Sequence, residues 1–304
     1  MKNLVFIVAF AALAGCGQSQ SPEPEAQDAA AAAPAEAQDA MTGSRSLEDI
    51  LAAQPDDVRA RYEYRKPAET LAFFGIEPGM TVVEALPGGG WYTKILLPYL
   101  GEDGKLIGAD YPYQLWVVNP SSTPERLEEK KTWVADWTAE ANTWRRPGDA
   151  EIAAFQMAEM PEEMAGTADA VLFIRALHNL ARWEDQAGTL TSAINDAYNV
   201  LKPGGIVGVV QHEARDNMPD EWADGSNGYL KRDFVIARMQ EAGFELVDSS
   251  DMHANEKDQP TTDDAVWRLP PSLGGSREDP ERAEAMRAIG ESNRMTLKFR
   301  KPDA

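Results

Sequence analysis

The chain has 304 residues, 43% of them hydrophobic, and a formal net charge of -21 at pH 7. That length and apolar share allow one large domain with appendages. The negative charge disfavours nucleic acid as a partner, because phosphate neutralisation needs clustered Lys and Arg, and a single cysteine, Cys16, removes disulfide and cysteine-metal chemistry.

Residues 1–15 read as a signal segment, with Lys2 as the positive start and an apolar run over 4–14. A run that short does not span a bilayer, which needs about 17 residues or more. Its exit, Leu13-Ala14-Gly15-Cys16, is similar to the bacterial lipobox. That likeness implies a lipid on Cys16 and a protein anchored to a membrane of the cell envelope on the periplasmic side. An ordinary signal peptide with an incidental cysteine is the alternative, and a cytoplasmic fraction stays open. Residues 18–41 hold Ala, Pro, Gln, Ser and acids with no basic or aromatic residue, a composition that cannot bury enough surface to fold. The expected organisation is a leader over 1–15, a tether over 16–44 and one domain over 45–304.

Residues 46–74 have helical spacing at Leu47, Ile50 and Leu51 and again at Leu71, Phe73 and Phe74. Arg59, Arg61, Arg65 and Lys66 give this stretch a basic face, either a solvated face paired with acids or one turned to a ligand. Residues 81–93, Thr-Val-Val-Glu-Ala-Leu-Pro-Gly-Gly-Gly-Trp-Tyr-Thr, predict a buried parallel strand, a turn almost without side chains, and a helix from 91 to 100. Glycine lets backbone approach a ligand closely, and free amides at a helix start face it. A second strand over 105–109 ends in Asp110, where nucleotide-binding α/β folds hold a ribose hydroxyl pair.

Residues 111–147 form a long aromatic insertion with Trp116, Trp133, Trp137 and Trp144. So long a segment is expected to be a cover over a site or a satellite hydrophobic cluster. Strands follow at 151–157 and 168–175, then a helix over 187–201, the turn Leu-Lys-Pro-Gly-Gly, and strand five at 206–210. A helix over 229–243, a strand over 244–249 and a last strand over 294–300 complete the pattern.

The acid at the end of strand one followed by the glycine turn resembles motif I of the class I S-adenosylmethionine methyltransferases. The Leu-Lys-Pro-Gly-Gly turn before strand five and Glu241-Ala242-Gly243-Phe244 fit the same family. The Pro-Gly-Gly-Gly-Trp-Tyr-Thr turn resembles a group of bacterial methyltransferases. The resemblance implies a Rossmann-like, doubly wound, mostly parallel seven-stranded sheet with helices on both faces and an antiparallel last strand. It implies S-adenosylmethionine as cofactor, held by Glu84, Pro87, Gly88, Gly89, Gly90 and Tyr92, with Asp110 on the ribose, Met157 and Ala158 near the adenine, and Arg175. Leu86 stands where the family has its first glycine. A dinucleotide oxidoreductase fits less well, since Thr93 replaces the third glycine of G-x-G-x-x-G.

Ligands of open parallel sheets bind beyond the carboxyl ends of the strands. His178, His212 and His253, the chain's three histidines, follow strands four, five and six on that edge. Histidine titrates near neutrality and suits proton removal, so His178 or His212 is the expected base, oriented by Asn179 and Glu213. A metal-assisted variant on His178, His212, Glu213 and His253 has no close-spaced ligand motif behind it. The expected activity is methyl transfer to a small molecule, lipid or envelope component. The rival is a non-catalytic lipoprotein that captures a small ligand on the same fold.

Overall fold

The computed structural model describes residues 45–303. The expected leader, Cys16 and the tether lie outside the described residues. Seven strands, β1 (Thr81–Ala85), β2 (Lys105–Asp110), β3 (Glu151–Gln156), β4 (Ala168–Ile174), β5 (Leu201–His212), β6 (Glu245–Ser250) and β7 (Arg294–Arg300), form one sheet in the order β3-β2-β1-β4-β5-β7-β6. The pairs from β3 to β5 are parallel, and β7 runs antiparallel to β5 and β6. The doubly wound, mostly parallel sheet expected from the sequence is the one observed.

Strand residues point alternately to the two faces, and helices cover both, so the central strands are apolar throughout. Val83, Ile107, Val171 and Phe173 pack on one face under the helices Thr189–Val200 and Arg232–Glu241. Val82, Leu106, Ala170 and Leu172 pack on the other under the helices Thr93–Leu100 and Pro67–Phe74. After β3 the chain crosses back to the far side of β1, so strand order reverses between β1 and β4. A crevice at that reversal is where such sheets bind ligands.

Several boundaries differ from the sequence reading. Residues 46–74 form four short helices rather than one, broken ahead of Asp56 at Pro55, at Ala60-Arg61, and at Lys66, whose φ of 39 precedes Pro67. Lys202-Pro203-Gly204-Gly205 does not end a helix ahead of strand five; it lies within β5, in a bulge where the pairing jumps from Ala168↔Leu201 to Ala170↔Ile206. A bulge is where a strand tolerates proline. The insertion folds into helices Tyr113–Val118, Pro124–Lys131 and Trp133–Trp144. Its last helix docks on the sheet edge, with Trp137 against Gly108 where a Cβ would lie 2.5 Å from the ring. Among the described residues no helix is long and apolar enough to cross a membrane.

Candidate active site

The carboxyl edge of the sheet carries a repeated backbone device. Leu86, Ala158 and Arg175 follow β1, β3 and β4, and each has a positive φ, of 54, 68 and 57. The left-handed region costs a non-glycine residue about 1–3 kcal/mol and clusters at functional sites. The amides of Leu86 and Arg175 still donate to the neighbouring strand, to the Ala109 and Val210 carbonyls at 2.7 and 2.6 Å, while the chain turns away. Leu86 thus adopts the conformation a glycine would supply, with its side chain packed on the core.

Two parts of the site follow from this edge. The first is the turn after β1. Gly88 and Gly89 are exposed, and a Cβ at either would meet nothing closer than 3.9 Å. Gly90 is buried, and a Cβ there would collide with the Trp144 ring. Two of the three glycines are therefore open to a ligand, and the third admits a tryptophan. Below the turn, the Thr93 hydroxyl donates to the Glu84 carboxylate at 2.6 Å. The missing third glycine is thus a threonine that fixes the acid. Burial raises the Glu84 carboxyl to about 7 against the hydrogen bond from Thr93. Tyr92 and Pro87 are buried beneath the turn, and Tyr92 belongs to the core.

At the end of β2, Asp110 is buried and its carboxylate receives the Lys130 ammonium at 3.0 Å. Lys130 also sits 4.4 Å over the Trp116 ring, and its carbonyl accepts from the Gln156 amide at 3.0 Å. Desolvation raises the Asp110 carboxyl even so. Met157 is core, and the Ala158 amide donates to Asp196 at 2.6 Å.

The second part is a cavity of about 260 Å³ at the carboxyl ends of β4 and β5. Arg175, His178, Asn179 and His212 line it, with Arg65, Trp267, Glu291, Ser292 and Arg294. The His178 and His212 ring centroids are 5.1 Å apart. The Gln211 amide nitrogen donates to the His212 and Gly228 carbonyls, which fixes its oxygen toward His178. An amide oxygen only accepts, so the His178 Nδ1, 3.3 Å away, carries the proton and Nε2 is left to accept. His212 Nδ1 faces the Ser292 hydroxyl. Burial lowers His178 to about 4, and burial with the nearby His178 and arginines lowers His212 well below its ordinary value. Both rings are therefore neutral at pH 7.

The other expected residues lie elsewhere. Glu213 binds Arg232 through both carboxylate oxygens, at 2.7 and 3.1 Å, and orients no histidine. His253 is pinned between Thr296 and the Arg65 carbonyl, where it ties β7 to the first helices. No group of three or more His, Cys, Asp or Glu side chains that could hold a metal occurs among the described residues. The basic stretch 59–66 is turned inward in part: Arg61 and Arg65 both pair with Glu291. Glu291, Ser292, Arg294 and Trp267 were not singled out from sequence. No local sequence signal marks them; the β5–β7 pairing brings Arg294 opposite His212 only in the folded sheet.

The strand order with its antiparallel β7 is the class I methyltransferase fold. No family model matches the chain. The chain is similar to an arsenite methyltransferase of Halobacterium salinarum, 26% identical over 211 residues, which are 67% of this chain and 46% of that protein. It thus spans about half the length of the curated relative it matches. Among solved structures it resembles a SAM-dependent methyltransferase of Aquifex aeolicus (13% identical, 84% of this chain and 99% of that one, TM-score 0.44). It also resembles an arsenic(III) S-adenosylmethionine methyltransferase of Chlamydomonas reinhardtii (16%, 86% and 75%, TM-score 0.42).

The residues present fit an adenosyl sulfonium in type. The Gly88-Gly89 backbone is open, Glu84 lies beneath it, and Asp110 ends the next strand. At the ribose end Lys130 already holds one Asp110 carboxylate oxygen, so ribose hydroxyls would share the acid with Lys130 or displace it.

Proposed function

We propose that the chain is an S-adenosylmethionine-dependent methyltransferase acting on a small molecule or lipid. The observation that carries this is the open glycine turn with Glu84 at the end of β1, where strand order reverses toward β4, with Asp110 ending the neighbouring β2 and the cavity of His178 and His212 at the ends of β4 and β5. When bound, the cofactor supplies an electrophilic methyl group on a sulfonium sulfur. Glu84, Gly88, Gly89 and Asp110 hold it, and Arg175, which lines the cavity, lies close enough in charge to lower the Glu84 carboxyl.

The chain's own part is chiefly positioning. His178 Nε2 accepts a hydrogen bond from the acceptor's nucleophile and aims its lone pair. An imidazole whose conjugate acid lies at about 4 takes a proton with little driving force. His178 and His212 therefore act as directors more than as strong bases, which suits an acceptor that reacts without losing a proton first. Asn179 lines the same wall.

Titration calorimetry of the full chain with S-adenosylmethionine and S-adenosylhomocysteine tests the reading. Micromolar binding of both supports it, and no binding of either removes it. Two contacts favour a second reading, a ligand-binding protein without turnover: Lys130 on Asp110 and Trp144 against Gly90. Cofactor binding without transfer of a labelled methyl group to any envelope or cytosolic extract would select it.

The lipobox-like exit adds a proposal about place. A lipid on Cys16 tethers the enzyme to an envelope membrane, where cofactor made in the cytoplasm has to reach it. Incorporation of labelled palmitate, abolished by Cys16→Ser, is the expected result.

A further inference from the structure

The cavity at the ends of β4 and β5 has an unusual charge for so acidic a chain. Arg61, Arg65 and Arg294 all pair with the single carboxylate of Glu291. Arg175 lines the same cavity and makes no ion pair or side-chain hydrogen bond among the described residues, although Arg65, Arg294 and Glu291 are near enough to act on it. The Nε of Arg294 is buried without a partner. Within the described residues Glu291 is thus the one acid paired among four guanidinium groups, with Glu84 acting on Arg175 only through its charge and without a contact, and the two histidines beside them are neutral and return no negative charge. Burying a cation without a counter-charge is costly, and Arg175 is held there on a left-handed backbone at φ 57. Trp267, Pro270 and Pro271 line the same cavity and give it an apolar part beside the guanidinium groups.

We propose that this cavity binds a small organic oxyanion, a carboxylate or a phosphate monoester, on the guanidinium of Arg175 with Arg294 beside it, and that the methyl acceptor is of this class. Planar guanidinium groups match both anions through paired N–H donors. Only the word acceptor rests on the methyltransferase reading; the anion site stands without it.

The test uses the full chain with benzoate and phenyl phosphate, and with uncharged benzamide as control. Binding is followed by calorimetry and by the ring 1H–15N signals of the three histidines. Either anion is expected to bind, to shift His178 and His212, and to leave His253 unmoved; which anion binds tighter names the group. Arg175→Gln is expected to weaken binding about 10- to 100-fold, as for loss of a charged hydrogen bond, and Arg175→Lys to restore part of it. Benzamide binding as tightly, or anion binding that leaves His178 and His212 unshifted, overturns the proposal, and both are read on the unaltered protein should the variants fail to fold.

Saturating S-adenosylhomocysteine separates the two readings. Anion binding that persists beside it supports an acceptor site. Anions expelled by it would assign the cavity to the donor's own carboxylate and overturn the acceptor class. Anion binding with no affinity for the nucleoside leaves the site standing and the methyltransferase reading fallen.

Discussion

The Lys130 ammonium lies 3.0 Å from the Asp110 carboxylate, so a helix inserted 20 residues downstream occupies the acid that ends β2. Lys130 is braced by the Trp116 ring and, through its carbonyl, by Gln156 at the end of β3. A ribose whose hydroxyls displace this ammonium breaks the contact, and the energy of breaking it is subtracted from its affinity. Lys130→Ala is therefore expected to tighten S-adenosylhomocysteine binding about 5- to 10-fold by calorimetry. The same change leaves a buried acid unpaired and should lower stability by about 1–2 kcal/mol, since Lys130 is itself partly solvated. Weaker binding in a folded variant would mean that Lys130 belongs to the ligand site instead.

The three glycines of the turn should separate by experiment. Gly90→Ala combines a φ of +78 with a collision on Trp144 and is expected to cost about 2–4 kcal/mol. Trp144→Ala should relieve part of that, with a coupling of about 0.5–3 kcal/mol in a double-mutant cycle. A Cβ added at Gly89 meets no atom within 4 Å and the position is exposed, so Gly89→Leu should keep stability within about 1 kcal/mol while nucleoside affinity falls at least about tenfold. Unchanged affinity in Gly89→Leu would take the turn out of the site.

How much of this was legible in the sequence depends on the range of the interaction. Val82-Val83, the acid at 84, the turn and Asp110 are local signals, and the methyltransferase resemblance they carry implies the mostly parallel seven-stranded sheet, so the fold class and its binding edge could be read from the sequence while the strand order came with the structure. Lys130 lies in Pro-Glu-Arg-Leu-Glu-Glu-Lys-Lys, which reads as a solvated helix, and nothing local marks its end as docked on Asp110. Trp144 on Gly90 and Glu291 on Arg61 and Arg65 are likewise contacts of long separation. His253 shows the opposite error, because a histidine after a strand on the functional edge was turned aside by its own loop toward Thr296.

Glu84 should give a visible pH dependence of stability. Its carboxyl is raised to about 7 when folded, so between the ordinary 4.5 and about 7 the folded state holds a proton that the unfolded state has released. Stability from this group is fully present below pH 4.5 and is lost as pH rises through 7, by a few kcal/mol on the order expected for such a shift. Glu84→Gln keeps an acceptor for Thr93 and carries no titrating proton. Urea unfolding at pH 5 and pH 8 should show a smaller difference in the variant than in the parent; equal differences would place the titration elsewhere.

Glu291 should act in the opposite sense and at lower pH. Burial alone would raise its carboxyl, but Arg294, Arg65, Arg61 and Arg175 hold it at about 2. A carboxylate depressed from 4.5 contributes stability that is present above that value and is lost as pH falls toward 2. Glu291→Gln leaves three paired guanidinium groups without their acid in a buried site and is expected to cost about 3–5 kcal/mol at pH 7. The gap between parent and variant should close as pH drops from 4.5 to 2, because the parent then protonates and loses the same pairing. Thermal unfolding at pH 7, 4 and 2.5 measures it. A gap that stays constant across that range would show that the arginines are balanced by some other group, and the surplus positive charge assigned to the cavity would have to be withdrawn.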